Sequence, residues 1–99
     1  MILEIAFVEV EPAFHSDFEI AIKRAVSEVL STSPGFIDFI MHKGIEQPNS
    51  YTFHIHWETL EHHTIGFRES ELFKQWRAII GEYLAKPPIV EHWNDVSIL

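Results

Sequence analysis

The hydrophobic pattern predicts an α+β domain with a β-α-β-β-α-β order, the split βαβ plan, built on a four-stranded antiparallel sheet. Three observations carry this expectation. Residues alternate with a period of two over 2–10, 36–45, 51–58 and 89–96, the mark of strands. Apolar positions recur at helical spacing over 16–30 and 70–83. Clusters of proline, glycine, serine and asparagine separate these runs. At 99 residues the chain has room for one domain, spanning 1–99.

In the first strand, Ile2, Ala6, Val8 and Val10 share one face, interrupted by Glu4, while Leu3, Ile5 and Phe7 share the other. Both faces are largely apolar, which predicts cover on both sides. Pro12 ends the strand because it has no amide proton for a ladder. Ser16 and Glu19 have capping-box spacing, and Phe18, Ile22, Ala25, Val26, Val29 and Leu30 form the buried stripe of the first helix, although the chain could already turn helical near Pro12. The breaker run from Ser31 to Gly35 stops it.

The second strand is expected to place Ile37, Phe39, Met41 and Ile45 on its apolar face and Asp38, Ile40 and His42 on the other. The turn at 46–50 leads to the third, where Tyr51, Phe53, Ile55 and Trp57 point one way and Thr52, His54, His56 and Glu58 the other. A hairpin about this turn brings His42 near His54. Thr59 can cap a short helix carrying His62 and His63, and Ser70 can cap the longer one. That longer helix shows Leu72, Phe73, Trp76, Ile79, Ile80 and Tyr83 as one broad stripe. Pro87 and Pro88 forbid its continuation, and the last strand holds His92.

Composition narrows the function. Hydrophobic residues make up 46% of the chain, more than a domain this small hides easily, so an interface with a second copy is expected over the helix-free face of the sheet. Fifteen acidic against seven basic residues give a net charge of −8, a surface that repels nucleic acid and anionic membranes. No apolar run reaches the roughly 18 residues of a membrane span, and no basic stretch precedes an apolar one at the N-terminus. A cytoplasmic homodimer is the expectation. The absence of cysteine excludes disulfides and thiol chemistry.

With Pro34, Gly35 and Phe36 before strand two, Trp57, Glu58 and Thr59 after strand three, then His63, Gly66, Phe67, Arg68, Ser70, Phe73, Trp76, Arg77 and the strand from Pro88 to His92, the chain resembles the antibiotic-biosynthesis-monooxygenase-like family. The resemblance implies a ferredoxin-like dimeric α+β barrel, with two sheets packed face to face and a cavity between sheet and helices in each subunit. It also implies, for some members, oxygenases that act on electron-rich phenols or quinols without metal or flavin. Another branch degrades haem with an asparagine on strand one, a tryptophan before the last helix and a histidine within it. Phe7, Phe67 and Arg77 stand at those places here, so haem degradation is not expected.

A cofactor-free oxygenase needs a base to form a phenolate or similar carbanion that reduces dioxygen, its co-substrate, and an apolar cavity to protect the intermediate. Seven histidines offer imidazoles that titrate near neutrality. His54 and His56 serve if their strand face looks towards the helices, and His63 serves if its helix covers the cavity. Arg68 or Arg77 could steady negative charge, with Arg77 preferred, and Phe7, Phe67 and Trp76 would bind a small apolar or aromatic ligand. Against these stand plainer roles. His54 and His56 could form a polar patch with Asp38 and Glu58 at a dimer interface, and His63 could fix a helix corner. His15 and His62 are expected in solvent, His92 against a partner subunit, and the arginines paired with surplus acids. Two further alternatives are a non-enzymatic dimer that binds a small apolar ligand, and a metal site built on His54 and His56 with His42. No cofactor is required by the favoured reading.

Overall fold

In a computed structural model, which describes residues 1–98, four strands form one antiparallel sheet: β1 (Ile2–Glu9), β2 (Phe36–Lys43), β3 (Ser50–Trp57) and β4 (Ile89–Trp93). Their spatial order is β2-β3-β1-β4, every pair antiparallel. The expected domain runs to Leu99, which lies outside the described residues. The helices are α1 (His15–Glu28), α2 (His62–Phe67) and α3 (Glu71–Ile80). This is the ferredoxin-like α+β arrangement.

The core lies on the helix side. Ala6 and Val8 of β1, Val10 just after it, and Tyr51, Phe53, Ile55 and Trp57 of β3 are buried against Phe18, Ile22 and Ala25 of α1 and Trp76 and Ile80 of α3. The other side of the sheet carries Phe7, Ile40, Ile89 and Trp93, all exposed. The four-residue apolar face of β3 points inward because no polar group interrupts it. Its alternate face, with Thr52, His54 and His56, is left outward.

Several local expectations are corrected. A bulge between Phe36 and Asp38 inserts Ile37 as an extra residue. Phe36 therefore packs on the core beside Phe39 and Met41, while Ile37 is exposed. Strand two stops at Lys43, leaving Ile45 exposed in the turn, and strand four stops at Trp93. Ser16 caps nothing: a tight turn at Pro12–Phe14 leads straight into α1, which begins at His15. His15 is not free in solvent but bonds through Nε2 to the Val10 carbonyl at 2.8 Å, so it pins β1 to α1.

Thr59 caps the helical turn at 60–61 that runs into α2, its hydroxyl accepting the His62 amide at 3.2 Å. Ser70 sits at the start of α3, but its hydroxyl donates to the Phe67 carbonyl at 2.7 Å instead of capping. Gly35 has φ +83°, a left-handed conformation that glycine alone adopts without strain, and an added Cβ would strike the His62 ring. His62 is thus half-buried over Gly35, not solvated. Gly35→Ala is expected to cost about 1–3 kcal/mol in urea unfolding. An unchanged midpoint would show that this corner is not tightly built.

Candidate active site

Between the inner face of β1 and the helices α2 and α3 lies a cavity of about 720 Å³. Its apolar wall includes Val8, Phe53, Phe67, Phe73, Trp76 and Ile80. Its polar groups are few: Glu4, His63, Arg68, Arg77 and Lys86.

Glu4 is the one carboxylate of the lining, and it is 5% exposed. The alternation of β1 places it inward between Ile2 and Ala6. Its Oε1 accepts the indole N–H of Trp57 at 2.9 Å and lies 3.3 Å from His63 Nε2. Burial pushes the carboxyl up to about 7, against the opposing pull of the Trp57 hydrogen bond and the Arg68 charge. A carboxyl so placed exchanges its proton near neutral pH.

His63 is 4% exposed and reaches this carboxyl from α2. That helix is widened: the Arg68 amide bonds to the His63 carbonyl five residues back, at 3.0 Å, a π-type turn. Within it, His63 and Phe67 both face inward. The imidazole stacks on Trp57 at 5.3 Å and 19°. Burial, then the His92 and Arg68 charges, hold its pKa down near 4, so the ring is neutral at pH 7. The Glu4–His63 contact, at 3.3 Å, is accordingly a polar contact with a neutral imidazole and not an ion pair.

The second nitrogen of His63, Nδ1, lies 2.8 Å from His92 Nε2. His92 pairs directly with Glu4 across the β1–β4 ladder and shares its face, so it points to the helix side and not towards the outer face where a partner was expected. Burial and the Arg68 charge lower its pKa too.

Arg68 and Arg77 both approach the ring of Phe73, at 5.8 and 5.9 Å. Among the described residues neither joins a carboxylate in an ion pair, contrary to the expectation that surplus acids would claim them. The cavity is therefore locally cationic in a chain of net charge −8.

Of the residues singled out from the sequence, His63, Phe67, Trp76 and Arg77 meet at this cavity. His54, His56 and Phe7 lie on the opposite face of the sheet, so the condition attached to the two strand histidines fails. His54 Nε2 lies 3.2 Å from Thr52 Oγ1, its ring meets His42 edge-on at 5.0 Å, and His56 Nδ1 lies 2.7 Å from Asp38 Oδ1. Of the polar patch given as the alternative, the His56–Asp38 contact is present, while His54 meets Thr52 and His42. Among the described residues no three His, Cys, Asp or Glu side chains are gathered to hold a metal ion, so the His42, His54 and His56 set does not form such a group. No helix among them is long and apolar enough to cross a membrane. Sequence reasoning missed Glu4 and His92. For Glu4 a signal existed, since a lone carboxylate on an otherwise apolar strand face must find partners.

Comparison with known proteins agrees with the fold. The sequence profile of the family described as antibiotic biosynthesis monooxygenase matches residues 1–79. An uncharacterized Bacillus subtilis protein, YczJ, is 33% identical over 96 residues, covering 97% of this chain and 100% of its own. A crystal structure from Bordetella bronchiseptica, provisionally described as an antibiotic biosynthesis monooxygenase, superposes with a TM-score of 0.91 at 36% identity, over 97% of both chains. A Streptomyces coelicolor monooxygenase solved with the ligand nanaomycin D superposes at 0.81, with 18% identity over 99% of this chain and 90% of its own, a likeness of fold.

Proposed function

This chain belongs to the antibiotic biosynthesis monooxygenase family, and on that premise we propose that it is a cofactor-independent monooxygenase of small phenols or quinols, including polyketide-like ones. The observation that carries the proposal is the buried Glu4 carboxyl, pushed up to about 7, on an apolar cavity that also holds Arg68 and Arg77, neither of them in an ion pair among the described residues. In the reaction, the Glu4 carboxylate takes a proton from the substrate. Arg77, with Arg68, steadies the resulting anion. Phe67 and Trp76 hold its ring and keep water out.

The anion passes one electron to dioxygen, and the radical pair joins as a carbon-bound peroxide. Glu4 returns its proton to the peroxide. Loss of water, which takes the hydrogen still on that carbon, leaves a carbonyl. One oxygen atom ends in product and the other in water, and the substrate supplies both electrons. The working unit is a homodimer in which a second copy covers Phe7, Ile40, Ile89 and Trp93, with His54 and His56 at that interface.

The test is oxygen uptake with a panel of hydroquinones and anthrone-type compounds. Uptake matched to substrate loss is expected, with a rate that rises through about pH 7 as Glu4 ionises. Glu4→Gln should lower kcat by about 10²–10⁴-fold with little change in KM. Tight binding of these compounds with no oxygen uptake would overturn the proposal and leave a ligand-binding dimer in its place.

A further inference from the structure

We propose that His63 and His92 form a proton relay joining the buried Glu4 carboxyl to solvent at the edge of the sheet, so that Glu4 is recharged through side chains and not by way of the cavity. This rests on Glu4 as the acid–base group and adds the route its proton takes. Three elements distant in sequence converge to make the chain: Glu4 from β1, His63 from α2 and His92 from β4. The two contacts use opposite nitrogens of one imidazole, 3.3 Å from Glu4 Oε1 and 2.8 Å from His92 Nε2. The inner end is sealed, with Glu4 and His63 both buried, and the outer residue, His92, is exposed. A structural tie between β4 and α2 requires only one hydrogen bond. A histidine bridging two titratable groups through both nitrogens, with one in solvent and one in the cavity, is the arrangement a relay requires.

The proton balance closes with neutral imidazoles throughout. When Glu4 is a carboxylate, His63 Nε2–H donates to Oε1, and His92 Nε2–H donates to His63 Nδ1. When Glu4 is an acid protonated on Oε1, it donates to His63 Nε2, and His63 Nδ1–H donates to His92 Nε2. Oε1 accepts the Trp57 indole N–H in both states. Passing from the acid to the carboxylate moves one proton across each contact and releases one from His92 Nδ1 to water. The reverse delivers one. The charged groups facing the relay are Glu4 from β1 and Arg68 beyond α2, while Arg77 of α3 and Lys86 before β4 share the cavity. The Arg68 charge disfavours an imidazolium at either ring, which keeps transfer concerted along neutral rings. His92 does not touch substrate; it acts through His63.

Nitrogen-15 NMR of histidine-labelled protein tests this without any substrate. As Glu4 titrates, His63 and His92 should switch together from Nδ1–H to Nε2–H, both remaining neutral, and Glu4→Gln should abolish the switch. In turnover with a hydroquinone, His92→Ala should lower kcat about tenfold, less than loss of the base itself, with KM unchanged and with recovery on adding imidazole. His92→Gln can still bond to His63 Nδ1 but cannot pass a proton. A relay predicts the same loss of rate for it, and a structural tie predicts the wild-type rate. Fixed tautomers through the Glu4 titration, or a wild-type rate in His92→Gln, overturn the relay and leave the oxygenase standing. A coupled switch in a protein that takes up no oxygen supports the relay and rejects the oxygenase.

Discussion

Trp57→Ala is expected to lose about 3–5 kcal/mol from the cavity it leaves, with about 1–3 kcal/mol more because Glu4 loses its buried hydrogen-bond donor. Trp57 is 0% exposed at the end of β3, where sheet, α2 and the cavity meet. Its ring contacts Phe36 at 6.0 Å, Phe67 at 5.7 Å and His63 at 5.3 Å, and its indole N–H holds Glu4. A domain of this size commonly has only about 5–15 kcal/mol in hand, so the variant should sit near or below the folding threshold. Trp57→Phe separates the two effects. It keeps most of the ring but removes the N–H, and should cost about 1–3 kcal/mol. It should also move the Glu4 titration still higher, since burial that raises it would then be opposed by Arg68 alone among the groups now lowering it. Urea unfolding followed by circular dichroism measures both variants. A Trp57→Ala midpoint close to wild type would refute the view that this indole joins core and site.

Which parts of this molecule can be read from the chain follows from the range of the interactions involved. Strands and helices were legible because their periods are local: the apolar face of β3 and the stripe of α3 are both found where alternation and helical spacing place them. Parity failed at Ile37, where one inserted residue reverses the faces and no turn residue marks it. The capping box at Ser16 failed because the turn at Pro12 had already started the helix.

The candidate site was half legible. His63, Phe67, Trp76 and Arg77 lie close in sequence on two successive helices, and they meet at the cavity. His54 and His56 went to the other face for a reason present in the sequence: the uninterrupted run of Tyr51, Phe53, Ile55 and Trp57 has the stronger claim on the interior. Glu4 and His92 needed the β1–β4 register, which pairs residues from opposite ends of the chain and leaves no local trace.

The same pair of buried groups should shape stability against pH. The Glu4 carboxyl has a pKa of 4.5 in the unfolded chain and about 7 in the fold. Its contribution to stability is fully present below pH 4.5 and is lost as pH rises through 7, a change of about 3 kcal/mol. His63 runs the other way, with a pKa of 6.5 unfolded and about 4 folded. Its contribution is present above pH 6.5 and is lost as pH falls through 4, again by about 3 kcal/mol.

Between pH 4.5 and 6.5 the two slopes oppose each other, so this pair leaves the wild-type stability nearly flat. Glu4→Gln, which keeps an acceptor for Trp57, removes one slope and should expose the other as a steep loss of stability on acidification. His63→Phe, which keeps a ring against Trp57, should do the reverse and lose stability as pH rises towards 7. The decisive quantity is the stability difference between Glu4→Gln and wild type, measured in urea at several pH values. It should grow in favour of the variant by about 3 kcal/mol from pH 4.5 to above 7. A difference that stays constant across that range would mean that Glu4 titrates as an ordinary surface carboxylate, and the proposed base would lose its poise at neutral pH.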